Sequence, residues 1–294
     1  MSILSKTKSM KSNTFLTDKH VYLQRLKTLA LVPEIVYAIG DLPTDSVKSV
    51  AIIGTRRPTA YGKRISFEFA YKLAQQGIIV ISGLAYGIDA AAHKGAVAAG
   101  GRTIAAVAHG LDTLYPSTHT KLAAQIIENG GCIVSEYREG ITITKHRFLE
   151  RNRIISGLAD AIVVIEAGER SGTNVTIQYA LDQGKEVFAV PGPIDSAASA
   201  GTNKLIQQGA HPALSPQDIA EVIAPGLILQ DIPPEGDSPA QTQLLLLIYR
   251  GVISNQQLMI QSGLDSSVFA QTITMLEIRG RIQRDSVGQW SYIK

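Results

Sequence analysis

Between residues 50 and 210 short β-branched apolar runs alternate with helical patterns, the order expected of a parallel sheet wrapped by helices. The strands are read at Val50–Ile53, Ile78–Ser82, Thr103–Ala108, Cys132–Ser135, Ala161–Ile165 and Val187–Val190. They are almost wholly apolar rather than alternating, which suits strands buried on both faces. Between them Ile65, Phe69 and Leu73 recur on one helical face, and Leu122, Ile126 and Ile127 on another. Gly77, Gly130 and Gly184 are placed to end helices before the next strand. The pattern predicts an α/β fold with a doubly wound, mostly parallel Rossmann-like sheet over residues 46–223, preceded by an N-terminal extension over 1–45. Val187–Val190, as the final strand, is expected to leave an open sheet edge, a surface for self-association.

Residues 224–240 concentrate Pro, Gly and acidic side chains and read as a linker. Beyond it, helical patterns over Gln241–Arg250, Ser254–Gln261 and Ser266–Arg279 precede a hairpin over Ile282–Ile293, with its turn near Ser286–Gln289. Three short helices and a hairpin suggest a small winged helix-turn-helix domain over 241–294.

The longest unbroken apolar run, Leu244–Tyr249, is far short of the roughly 18 to 20 residues of a membrane span, so no membrane span is expected. The first twenty residues carry Lys6, Lys8, Lys11 and Lys19 and no apolar core, so no secretory signal is read and the cytoplasm is expected. Cys132, the one cysteine, lies in an apolar stretch and is expected in the core. The net charge of +3 is too small to advertise a nucleic-acid binder, but its distribution is uneven. Residues 216–294 hold 5 basic against 8 acidic side chains, while Lys145–Arg153 forms a dense basic run.

In an open parallel sheet, ligands bind beyond the carboxyl ends of the strands, so the loops there carry the candidate chemistry. The first, Gly54–Lys63, ends in Gly-Lys but has seven residues between its glycines and Arg64 after the lysine. It is neither a phosphate-binding P-loop nor a G-x-G-x-x-G dinucleotide fingerprint. It retains glycine for close backbone approach, with Arg56 and Arg57 beside it. The second, Ser82–Asp89, opens a helix whose free amides could seat a phosphate or be capped by Asp89 itself. Asp89 and His93, four residues apart, are expected to make a helix-face hydrogen bond rather than an acid–base pair. The third, Glu166–Asn174, again sets small and hydroxyl residues before a helix and repeats the anion-site logic. No nucleophile, metal set or paired carboxylates stand at the strand ends, so neither catalysis nor a cofactor is expected.

Phe148 stands among Lys145, Arg147, Arg151 and Arg153. Cations that hold phosphates around a ring that stacks a base suit single-stranded nucleic acid, whereas a ring on the inner face of the same helix would be core. Both readings fit the run alone.

Taken in order, Val50–Arg56, Tyr61-Gly62, Ser82–Asp89 with His93, Gly110–Asp112 with Tyr115-Pro116, Ser135-Glu136, Phe148–Arg153, Glu166 with Ser171–Thr173, and Pro191-Gly192 with Gly201–Asn203 and Gly209-Ala210 resemble the DNA-processing protein DprA (Smf) family. The resemblance covers roughly residues 20 to 215. It implies a homodimer with an extended Rossmann fold that binds and protects incoming single-stranded DNA and loads the RecA recombinase during natural transformation and recombination. Carried over by motif, Arg56 and Lys145 would hold phosphates and Phe148 would stack a base. Ser82 and Gly83 would line the same pocket, supported by Arg151, Asn152 and Arg153. Many members carry an N-terminal SAM-like helical domain, which is expected to be absent here. The acidity of the C-terminal segment argues against strong backbone binding by it.

The rival from another class is a Rossmann-fold enzyme of the phosphoribohydrolase, lysine-decarboxylase-like type, of which Ala167–Thr176 is a partial echo. Thr176 stands where that family has its catalytic glutamate, which sets this reading behind the first. A transcription regulator that uses the winged helix stands third.

Overall fold

The computed structural model describes residues 12–169, 171–229, 236–249, 251–284 and 288–292. They divide into two compact units, one ending at Leu229 and one following it. The first opens with β1 (Asn13–Leu16), a 3-10 turn over Tyr22–Thr28 and β2 (Ile35–Gly40). The alternation then runs β3 (Ser49–Ile53), α1 (Ala60–Gln75), β4 (Ile79–Ser82), α2 (Ile88–Ala98), β5 (Thr103–Ala106), α3 (Thr120–Glu128), β6 (Cys132–Ser135) and α4 (Lys145–Leu158). It continues with β7 (Ala161–Val164), α5 (Thr173–Asp182), β8 (Glu186–Ala189), α6 (Ala200–Gln207), β9 (His211–Pro212) and α7 (Pro216–Ile223). All six strands expected from the sequence are present, with ends within two residues.

The nine strands form one sheet in the order β1-β2-β6-β5-β4-β3-β7-β8-β9. From β6 to β9 every neighbouring pair is parallel, while β2 joins β6 and β1 joins β2 antiparallel. Residues 13–40, set apart from the Rossmann domain by their sequence, thus supply its antiparallel edge. The other edge corrects an expectation. Val187–Val190 is not open, because Phe188 and Ala189 of β8 pair with His211 and Pro212 of β9. A two-residue strand containing proline gives no readable period.

Successive residues of β3 go to opposite faces, as the two-residue period of a strand requires. Ala51 and Ile53 join a cluster with Tyr22, Leu26, Ile154, Leu158 and Ile177, while Val50 and Ile52 join Phe69, Leu73, Ile88 and Ile219. Each large side chain so buried contributes about 1.5 to 3 kcal/mol, which explains why apolar runs in the sequence become central strands. The three glycines expected to end helices all have positive φ, between 66° and 81°. Cys132 is fully buried in β6, and burial raises its thiol pKa, so it is core as expected.

Strand order reverses across β3 and β7: β4, β5 and β6 follow on one side, β8 and β9 on the other. Such a switch point opens a crevice at the strands' carboxyl ends.

The second unit contains α8 (Pro239–Tyr249), α9 (Asn255–Ser262), α10 (Ser266–Ile278) and an antiparallel pair, β10 (Ile282–Arg284) with β11 (Trp290–Tyr292). Residues 285–287, in the expected turn, and 230–235, in the expected linker, lie outside the described residues. Leu244, Leu245, Ile248, Leu258, Phe269, Leu276 and Trp290 form a core of the unit's own. Val268 is 40% exposed, so α10 turns Ile273 and Leu276 inward and Val268 outward.

Candidate nucleic-acid interface

The loop after β3 is held on both sides. Thr55 N donates to the Glu166 carbonyl at the end of β7 (2.8 Å), and Ile88 N at the start of α2 donates to the Thr55 carbonyl (3.2 Å). Glu166 is itself buried, and its carboxylate accepts from Thr59 N at 2.9 Å and from the Thr59 hydroxyl, fixing the entry to α1. With its flanks fixed, the loop presents Arg56 and Arg57 to solvent.

α4 supplies the opposite wall. Thr144 caps its N-terminus by accepting from Arg147 N, and the second half of the helix, from Ile154 to Leu158, is buried. Its first turns therefore project past the sheet and carry Lys145, Phe148 and Asn152, three and four residues apart on one face. These residues, with Arg56 and Arg151, line one cleft of about 470 Å³, closed on its far side by Ser171, Gly172 and Thr173 after β7. Phe148 is half-buried and belongs to none of the buried clusters, so its ring is not core. The Arg56 guanidinium carbon lies 5.0 Å from the ring centroid and that of Arg151 6.0 Å, both within cation–π range.

Arg151 is 4% exposed. Its guanidinium donates to the carbonyls of Gly83 (2.7 Å) and Ala106, spanning the ends of β4 and β5. Burial lowers its pKa to about 10, with the charge of Asp89 acting the other way and that of Arg56 adding to the fall. It stays cationic at neutral pH. Asp89 is buried as well, and desolvation raises its pKa against the opposing field of Arg151 and the Ala85 and Gly83 amides. Its carboxylate accepts from Gly83 N at 3.1 Å and Ala85 N at 3.4 Å, amides of the loop before α2, whose first turn has no side-chain cap; Asp89 thus braces the loop rather than capping the helix.

Of the eight residues expected at the site, Arg56, Lys145, Phe148, Arg151 and Asn152 come together and three do not line the cleft. Ser82 is fully buried, with its hydroxyl donated to the Ile52 carbonyl at 2.7 Å; it ties β4 to β3. Gly83 lies beneath the cleft, where a Cβ would come within 2.6 Å of the Arg151 guanidinium, so its role is to leave room for that group. Arg153 turns away to an ion pair with Glu136, both largely buried. His93 also departs from expectation: its Nδ1 lies 2.8 Å from Thr103 Oγ1, and burial lowers its pKa to about 3, so the neutral ring serves the core.

The sequence reading took the third loop as an anion site without joining it to the basic run; Ser171–Thr173 share the cleft with that run. Tyr115, present in the sequence only as part of the Tyr115-Pro116 motif and given no role there, has its ring centroid 5.9 Å from that of Phe148. Among the described residues no group of three or more His, Cys, Asp or Glu is arranged to hold a metal ion, and no helix is long and apolar enough to cross a membrane.

The family model for DNA recombination-mediator protein A matches residues 13–224. Protein Smf of Escherichia coli (strain K12) is 39% identical over 231 residues, which span 78% of this chain and 62% of that relative. DNA processing protein DprA of Bacillus subtilis (strain 168) is 38% identical over 210 residues, 71% of this chain and 70% of that one. The solved DNA processing protein A of Helicobacter pylori, studied for its single-stranded DNA binding mode, has a TM-score of 0.65 at 30% identity, covering 73% of this chain and 96% of its own. The X-ray structure of DprA from Streptococcus pneumoniae has a TM-score of 0.65 at 34% identity, with 75% and 77% covered.

Proposed function

The chain belongs to the DNA recombination-mediator protein A family, and from that premise we propose that it binds single-stranded DNA in the cleft between the ends of β3 and β7. The observation that carries this reading is the pairing of Arg56 and Lys145 with the half-buried ring of Phe148 around one cleft. The H. pylori relative, with its single-stranded DNA binding mode, supports it. In the free protein Arg56 sits near the Phe148 ring. Opening an exposed cation–π contact costs about 0.5 to 1 kcal/mol. A stacked base is worth about 1 to 3 kcal/mol, and the released guanidinium gains a phosphate, so strand binding wins the exchange. A base reaches the ring only when it is unpaired, which makes the site selective for single strands. In a mobility-shift titration, single-stranded oligonucleotides are expected to bind tightest and duplexes of the same sequence weakly; equal affinity for duplex would contradict the reading.

The wider role proposed with this site is recombination: a homodimer that shields incoming single strands and loads the RecA recombinase on them. The family description and the DNA-processing relatives support the recombination part of that role; the homodimer and the RecA partner rest on the resemblance of the sequence motifs alone.

The C-terminal unit, proposed to be a winged helix, is not the main DNA site. Within it Arg279 pairs with Asp237, and the Arg284 guanidinium lies 4.5 Å from the Trp290 ring centroid, so both cations are engaged locally. Residues 230–294 hold 5 basic against 6 acidic side chains, so the unit has no cationic surplus for the phosphate neutralisation that drives binding. Truncation after Leu229 is expected to leave single-strand affinity within about threefold, and loss of most binding would move the site to this unit.

A further inference from the structure

We infer that Tyr115 is a second stacking platform and that the strand runs from Phe148 toward the β5 side of the rim. This rests on the single-strand reading of the cleft and extends it by one nucleotide.

Tyr115 is 43% exposed although its ring meets Phe148 at 5.9 Å and 56°. The two rings come from different loops held in one frame. Gly110 N, in the loop that carries Tyr115, donates to the Ile141 carbonyl just before α4 (3.1 Å). Gly140 N donates to the Asp112 carboxylate (3.0 Å), and the Ser135 hydroxyl donates to the His109 carbonyl (2.7 Å). The loop after β5 is thus fastened to the segment that starts α4, and the spacing of the rings is set before any ligand arrives.

That spacing selects the ligand. Neighbouring nucleotides of one duplex strand advance about 3.4 Å along the helix axis with their bases stacked. Two rings 5.9 Å apart and tilted by 56° cannot each face a base of such a stack. They can each face one base of a strand whose bases have separated, as single-strand platforms do. Thr118, three residues after Tyr115, donates to the hydroxyl of Tyr86, a ring 45% exposed in the loop after β4, which ties the Tyr115 loop to that loop as well.

The test is anisotropy titration of short labelled oligothymidylates with the wild type, Tyr115→Leu, Tyr115→Phe and Phe148→Leu. Tyr115→Leu is expected to weaken binding by about 5- to 150-fold, the worth of one stacked base, with Tyr115→Phe close to wild type and the salt dependence unchanged. Should Tyr115→Leu prove unstable in thermal melts, Tyr115→Trp is read instead, and oligothymidylate is expected to quench its fluorescence above the background of Trp290. Wild-type affinity in Tyr115→Leu, or an unquenched Tyr115→Trp, alongside weakened Phe148→Leu overturns this inference and leaves the cleft reading standing. Normal affinity in both leucine variants overturns both.

Discussion

Replacing Arg151 with alanine is expected to cost about 3 to 5 kcal/mol of stability, the penalty for removing one partner from a buried set of charges. The Gly83 and Ala106 carbonyls lose their donor, and Asp89 stays buried without the cation whose field lowers its pKa. Urea denaturation would show an earlier midpoint at an unchanged slope. Arg151→Met fills the volume but leaves Asp89 stranded, so adding Asp89→Asn should restore part of the loss. The pH dependence has a definite sign. Asp89 has a raised folded pKa, raised further without Arg151, so the folded variant keeps a proton that the unfolded chain has released. The deficit relative to wild type should therefore grow as pH rises from the wild-type folded pKa of Asp89 to the higher one of the variant, stay constant above that, and narrow as pH falls back through the same window. A loss below about 1 kcal/mol would show that Arg151 is not what joins the ends of β4 and β5.

Phe148→Ala is expected to weaken single-strand binding by about 1 to 3 kcal/mol and to leave folding nearly intact. The ring is half-buried at the mouth of the cleft, outside every buried cluster, so the roughly 3 to 5 kcal/mol typical of truncating a core phenylalanine does not apply. Thermal melts and binding titrations on the same preparation separate the two roles. A variant that melts early and binds normally would return Phe148 to a packing role, whereas one that melts normally and binds weakly fits a stacking platform.

The central strands were legible because each is an unbroken apolar run between glycine or polar breaks, and burial on both faces leaves no other reading. Strands at the edges were not. Asn13–Leu16 is largely exposed and β9 has two residues, so neither writes a hydrophobic period into the sequence. At the site, the basic run brought out Lys145 and Phe148 together, because neighbours on one helix are local in sequence, while Asn152 entered only with the family motif. It could not show that Arg153 turns to Glu136 or that the Ser82 hydroxyl serves the sheet, since those directions depend on neighbours distant in sequence. Tyr115 lies 33 positions before Phe148, and only the strand order and the bonds between their loops place the two rings together.

The most direct measurement is the salt dependence of oligothymidylate binding for the wild type, Arg56→Ala, Lys145→Ala and Phe148→Ala. If the first two side chains each neutralise a phosphate, each alanine variant should lower the log–log slope by about 0.7, the single-strand value per contact, while Phe148→Ala weakens binding at an unchanged slope. Slopes and affinities in Arg56→Ala and Lys145→Ala that match the wild type would place the DNA elsewhere on the molecule.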